Sequence, residues 1–132
     1  RAARALIHRH RRGGFHLGLS GQILREYLVV ATRGPKANGL GLESADAVKN
    51  VWEFRQRLLF FDETETVADT LRTLAGKHRL TGTRIHDANV IATMLTHGLS
   101  KLITDNQDDF KIFTEVQTAG VAEMYELVSG SA

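Results

Sequence analysis

Residues 82–110 read GTRIHDANVIATMLTHGLSKLITDNQDDF, a turn, a helix, a strand and a carboxylate-rich loop in succession. The TGTR turn leads into a helix from His86 to His97, where Val90, Ile91, Met94 and Leu95 recur at helical spacing. Gly98 is the expected C′ residue of that helix. Leu102-Ile103-Thr104 is a short apolar strand, and Asp105, Asp108 and Asp109 crowd its exit. Asp87 opens the helix on its apolar side. Acids gathered beside hydrophobic surface repel one another unless a cation or protons lie between them. A divalent-metal site is therefore the leading reading of this stretch.

Upstream, residues 1–12 read as the tail of a helix, with Ala3, Leu6 and Ile7 on one side and Gly13-Gly14 as its stop. Phe15 to Leu19 is a strand candidate and Ser20 an N-cap. From Gln22 to Thr32 the residues Ile23, Leu24, Tyr27, Leu28, Val30 and Ala31 follow helical spacing. Arg33 to Leu42 holds three Gly and the only Pro and reads as a loop. Ser44 or Asp46 caps a helix running to about Leu58, and the LLFF run at 58–61 is a short buried strand. Thr64 or Thr66 caps a further helix ending near His78 to Leu80. Ile112 to Leu127 reads as a strand and turn. Strands separated by helices predict an α/β fold, three layers (α/β/α) around a mainly parallel sheet, in one domain spanning residues 1–132.

The chain's 132 residues suffice for one domain with a real core, and 42% apolar content excludes a disordered chain. With no Cys there is neither a disulfide framework nor a thiolate ligand or nucleophile, which agrees with a cytoplasmic location. No apolar run approaches the roughly 18 residues of a membrane span. The net charge of +2 is unevenly spread. Residues 1–36 carry eight Lys/Arg and one acid, Glu26, and the remainder nine Lys/Arg and fourteen acids. A basic face can hold a polyanion such as RNA. A solvated basic helix end explains the same charges, and RHRR at 9–12 suits a helix C-terminus.

Each candidate site residue also has a plain structural explanation. A first-turn acid such as Asp87 interacts favourably with the helix dipole, by about 0.3–1 kcal/mol. Glu26, at the edge of the apolar stripe, is otherwise an exposed helical acid pairing with Arg33 or another Arg. Asp105 or Asn106 can cap a short helix as well as bind a cation. Sites in open α/β sheets form just beyond the carboxyl ends of strands, and oxygen ligands there suit Mg²⁺ or Mn²⁺. Phe110 and Phe113 read as core anchors. His86, beside Asp87, is positioned to touch substrate or metal, with capping or packing as the alternative. The sequence has no G-x-G-x-x-G, Walker loop or G-x-S-x-G elbow.

The runs I-H-D-A-x-x-x-A-T-x-x-x-H-G at 85–98 and L-I-T-x-N-x-x-D-F at 102–110, with S-x-Q-I-L-R-E-Y-L-V-V-A-T-R at 20–33, resemble the PIN domain (PilT N-terminus-like) of metal-dependent ribonucleases. Within that family the chain looks most like the VapC-type toxins of bacterial toxin–antitoxin pairs. The resemblance implies catalytic and metal-binding roles for Glu26, Asp87 and Asp109, with Asn106 as a further ligand. Ser20, Thr104, Asp105 and His86 are supporting candidates; Asp105 and Asp108 have no clear counterpart in the family pattern, although a one-residue shift brings Asp105 into the site. The resemblance also implies Mg²⁺ or Mn²⁺ as cofactor, single-stranded RNA as substrate, an antitoxin protein as partner and a homodimer built on the apolar positions of the first two helices. The family opens with a strand ending in Asp, typically within D-T-N, and nothing before Arg1 supplies it, so the chain is expected to lack its first strand and a primary ligand. Two other readings stand beside this one: an RNA-binding PIN-like domain without catalysis, and a small-molecule-binding α/β domain whose acids cap helices.

Overall fold

A computed structural model describes residues 4–9 and 15–120 of the chain, with side chains from residue 18 onward. Five strands form one sheet: β1 (Arg4–Arg9), β2 (Phe15–Ser20), β3 (Leu59–Phe61), β4 (Lys101–Thr104) and β5 (Gln117–Ala119), in the order β3-β2-β1-β4-β5. Four helices accompany them: α1 (Gly21–Thr32), α2 (Ser44–Arg57), α3 (Glu65–Lys77) and α4 (Arg84–Thr96). The pairs β2–β3 and β4–β5 are parallel, and β1 is antiparallel to both β2 and β4. It follows that β2, β3, β4 and β5 all point the same way. Their carboxyl ends lie along one edge of the sheet, where α1, the Asp62-Glu63 segment and the loop after Thr104 begin.

The α/β class matches the sequence expectation, but residues 4–9 do not. The helix predicted over residues 1–12 is replaced, at Arg4–Arg9, by the central strand. Apolar residues at positions 3, 6 and 7 satisfy helical spacing, yet β2 and β4 each present a row of backbone N–H and C=O groups toward the gap between them. Unpaired backbone groups are costly inside a fold. The strand fills that gap, with Leu6 opposite Gly18 on one side and Leu102 on the other. The expected stop at Gly13-Gly14, the RHRR run beyond Arg9 and the last predicted turn beyond Gly120 lie outside the described residues.

Local chemistry sets the helix ends. Ser20 takes an extended conformation and its Oγ accepts the N–H of Ile23 at 3.4 Å, while Glu63 accepts the N–H of Gln22 at 2.6 Å. Two of the N–H groups left over at the start of α1 are thereby satisfied. Beyond Arg33 the chain folds back, and Leu40, Gly41 and Leu42 donate to the carbonyls of Val30, Arg33 and Ala31. α4 ends at His97, and Gly98 follows with φ +71°, a conformation only glycine adopts freely. Gly18 has a packing reason: a Cβ there would lie 2.4 Å from the ring of Phe61.

α4 is the centre of the core. Ala88, Val90, Ile91, Ala92, Thr93 and Met94 are all buried, so the helix has apolar contacts on nearly every side. The one buried hydroxyl among them, on Thr93, donates to the Asn89 carbonyl at 2.9 Å. Leu99, Leu102, Phe110 and Phe113 complete the cluster, and Leu19, Ile23, Val67 and Leu74 join it from β2, α1 and α3. Phe110 and Phe113, expected as anchors, are both about 1% exposed. They fix the chain just beyond the acidic loop, so the loop's position is set by core packing.

At the edge of this core, Glu115 accepts from Lys77 at 2.8 Å and lies 3.4 Å from His78 Nε2. Burial pushes its carboxyl up, but hydrogen bonds from Lys77, from its own backbone and from His78 outweigh that and hold it below the usual Glu value. A depressed carboxylate contributes stability above its unfolded pKa and loses it as pH falls through the folded value. Glu115→Gln is expected to cost about 1 kcal/mol at neutral pH. The difference from wild type should vanish as pH drops below the ordinary Glu range. Urea denaturation at a series of pH values checks both.

Candidate functional site

One face of α1 carries Gln22, Arg25, Glu26, Val29, Val30 and Arg33, spaced as a single helical stripe. This stripe forms one wall of a cleft of about 650 Å³. Thr83, Arg84, His86 and Asp87, from the start of α4, form the facing wall, and Asp109 closes it from the loop after β4. Three acids from segments far apart in sequence thus meet at the carboxyl edge of the sheet.

A buried amide ties the walls together. Gln22 is 3% exposed, and its Nε2 donates to Glu26 Oε2 at 3.1 Å and to the His86 carbonyl at 2.7 Å. Its Oε1 accepts from Asn89 Nδ2 at 2.7 Å, and the same Asn89 nitrogen donates to Glu63 Oε1 at 2.8 Å. The rotamer of Glu26 is therefore coupled to α4 through one side chain. Glu63 in turn joins the N-terminus of α1 to the same network.

Asp87 is 8% exposed. The helix dipole contributes about 0.3–1 kcal/mol to an acid in the first turn, less than the several kcal/mol that desolvating a carboxylate costs. Arg84 supplies part of the difference. Its Nε lies 3.5 Å from Asp87 Oδ2, too poorly aligned for a hydrogen bond, and its Nη2 donates to the main-chain carbonyl of Asp109 at 2.7 Å. One guanidinium thus lies between two of the acids.

The sequence-predicted residues divide into two groups. Glu26, Asp87, Asp109 and His86 all line the cleft. Ser20, Thr104, Asp105 and Asn106 do not. Ser20 caps α1, and Thr104 is buried with its Oγ1 accepting the N–H of Asn106 at 3.1 Å. Asn106 precedes a short 3-10 helix, Gln107–Phe110, and its carbonyl accepts the N–H of Asp109. Asp105 is exposed. Asp108 is also exposed and pairs with Lys111 at 2.8 Å, which holds its carboxyl below the usual range through a hydrogen bond and charge.

Sequence reading missed Gln22, Arg84, Asn89 and Glu63. Gln22 lies one helical turn before Glu26, and that spacing was a usable signal. Glu63 and Asn89 meet α1 only through tertiary contact and leave no local trace.

Among the described residues, no three His, Asp or Glu converge closely enough to hold a metal directly. The donors that line the cleft are nonetheless hard oxygen ligands, the kind that suits Mg²⁺ and Mn²⁺. Mg²⁺ keeps several waters and needs only one or two carboxylates in contact. The residues present fit such an ion in kind, with Arg84 as the positive charge now between them.

An acid-lined cleft at the carboxyl edge of an α/β sheet, walled by helices and flanked by arginines, defines a class of phosphate-handling site. The PIN domain family model matches residues 1–116, and the chain belongs to the PIN domain family. Members of that family are in general nucleases, typically metal-dependent. No curated protein and no solved structure gives a significant match to the chain.

The bridging amide yields a direct expectation. Gln22→Leu removes three side-chain hydrogen bonds, each about 0.5–1.5 kcal/mol net, and should cost about 2–4 kcal/mol in chemical denaturation. Asn89→Ala in the Gln22→Leu background should add less than it does alone, because the two share a bond.

Proposed function

We propose that this PIN domain is a metal-dependent endoribonuclease cutting single-stranded RNA in the cytoplasm, as the toxin of a toxin–antitoxin pair. The observation that carries the reading is the meeting of Glu26, Asp87 and Asp109 in one cleft. Glu26, Asp87 and Asp109 would hold Mg²⁺ or Mn²⁺, directly or through water, with Asn106 in support at the root of the loop. When bound, the ion supplies charge neutralisation at the scissile phosphate and activation of the attacking water.

The chain's own groups do the rest. Gln22 orients Glu26 through its amide. Arg84 balances Asp87 and braces the Asp109 main chain. His86, exposed at the mouth of the cleft, is available to touch the nucleic acid. Hydrolysis adds water across the P–O bond, and the leaving oxygen takes up a proton.

A second reading, RNA binding without cutting, is favoured because no three acids or histidines among the described residues stand close enough together to hold a metal directly. Asp87→Asn separates the two. In the Asp87→Asn protein, cleavage in Mn²⁺ should fall to background. The melting temperature should hold or rise, because a buried charge is removed. Unchanged cleavage overturns the ribonuclease reading, and RNA binding without cutting by wild type favours the second.

Of the two helices the sequence assigns to a homodimer, the first is strand β1 over Arg4–Arg9, while the second, α1, carries the exposed Val29. Val29, Leu40, Val48 and Trp52 are all more than half exposed, and Val48 and Trp52 are one turn apart on α2. Val48 and Trp52, neighbours on α2, form an exposed apolar pair of the kind that suits an interface. An antitoxin bound near the cleft would be the further partner. Size-exclusion chromatography with light scattering should give a dimer that Trp52→Glu converts to monomer. A wild-type monomer at high concentration counts against the dimer. Among the described residues no helix is long and apolar enough to cross a membrane.

A further inference from the structure

The cleft-facing stripe of α1 contains two cations that the ligand-binding acids do not use. Arg25 is exposed and Arg33 half-buried, and both line the cleft. Neither guanidinium makes a hydrogen bond or ion pair with a described residue, and the Nε of Arg33 is buried with no hydrogen-bond partner. Arg25 stands beside Glu26, close to the acids. Arg33 lies seven residues after Glu26, two turns along and nearly in line with it. Val29 and Val30 occupy the space between, and Val29 is 56% exposed.

We infer that Arg25 and Arg33 form a phosphate track that holds one strand of nucleic acid along α1. The inference rests on the ribonuclease reading and names the residues that would hold the substrate. The two side chains originate about 12 Å apart along the helix axis, so they contact different phosphates of the same strand. The guanidinium fork matches phosphate geometry, and a planar cation with unspent donors is the group expected there. Val29 and Val30 offer an apolar surface to the ribose or base between the two contacts. The acids lie at the Gln22–Glu26 end of the stripe, so the track extends from the cutting position toward the C-terminus of α1. Arg25 and Arg33 both belong to the basic residues of 1–36 to which the sequence points for RNA contacts.

Salt dependence tests the track independently of cleavage. The full chain is titrated by fluorescence anisotropy against a labelled oligouridylate, in EDTA so that no cutting occurs, from 50 to 200 mM salt (roughly the range over which such contacts are read). Arg25→Gln and Arg33→Gln should each flatten the slope of log K against log salt by about 0.7, and the double variant by about twice that. Arg25→Lys and Arg33→Lys, which keep the charge, should restore most of the slope. Wild-type binding with slopes unchanged in both Gln variants overturns the track alone. No salt-dependent binding by wild type overturns the ribonuclease reading and the track with it. If Arg33→Gln melts at lower temperature, Arg25→Gln decides the matter, since Arg25 is exposed.

Discussion

The carboxamide of Gln22 is the contact on which the site depends. It is buried, spends its nitrogen on Glu26 and on the His86 carbonyl, and spends its oxygen on Asn89. A buried amide satisfied on both ends fixes the distance between α1 and α4, because moving either helix leaves polar groups unpaired. Everything else in the cleft is referred to that distance. Glu26 takes its rotamer from Gln22, and the first turn of α4 carries Asp87 and Arg84 at a set height opposite. Glu63 extends the same network to the start of α1, where its charge also meets the positive end of the helix.

Around this frame the charges balance in a particular way. Asp87 and Asp109 come together because α4 and the loop after β4 are both anchored in the same core, by Ile91 and Met94 on one side and Phe110 and Phe113 on the other. Core packing thus sets where the two acids stand on the walls of the cleft. Arg84 makes the arrangement tolerable by contacting one acid through its side chain and the other through its main chain. Arg25 stands beside Glu26 and Arg33 two turns farther along the same stripe, so cations as well as acids line the cleft.

Much of this was legible in the sequence, for reasons that can be stated residue by residue. The start of α1 and the end of α4 follow from capping and glycine chemistry that acts within a few residues, at Ser20 and Gly98. Asp87 was conspicuous because a charged residue on an apolar arc is locally anomalous. Asp109 stands out as one of the acids crowding the exit of a strand and Glu26 as a lone acid in a basic stretch, and the family resemblance narrows the site to them. The strand at residues 4–9 was misread as helix because its identity is decided by two neighbours far away in sequence. The partners of Gln22 were invisible for the same reason: hydrogen bonds to His86 and Asn89 close only when the fold does.

The central position of β1 has a consequence for how the molecule is made. Its contact with β2 is a local one, available as soon as residues 4–20 exist. Its other edge faces β4, where Arg4 pairs with Thr104, roughly a hundred residues later in the chain. The order of synthesis therefore leaves a half-completed sheet with an open hydrogen-bonding edge until nearly the whole domain has emerged. Such an edge is a template for pairing with other strands. The same late segment, Lys101 to Phe110, carries Asp109 into the cleft. Closing the sheet and assembling the acids are thus one event, and a chain that has not finished folding does not present the three acids in one cleft.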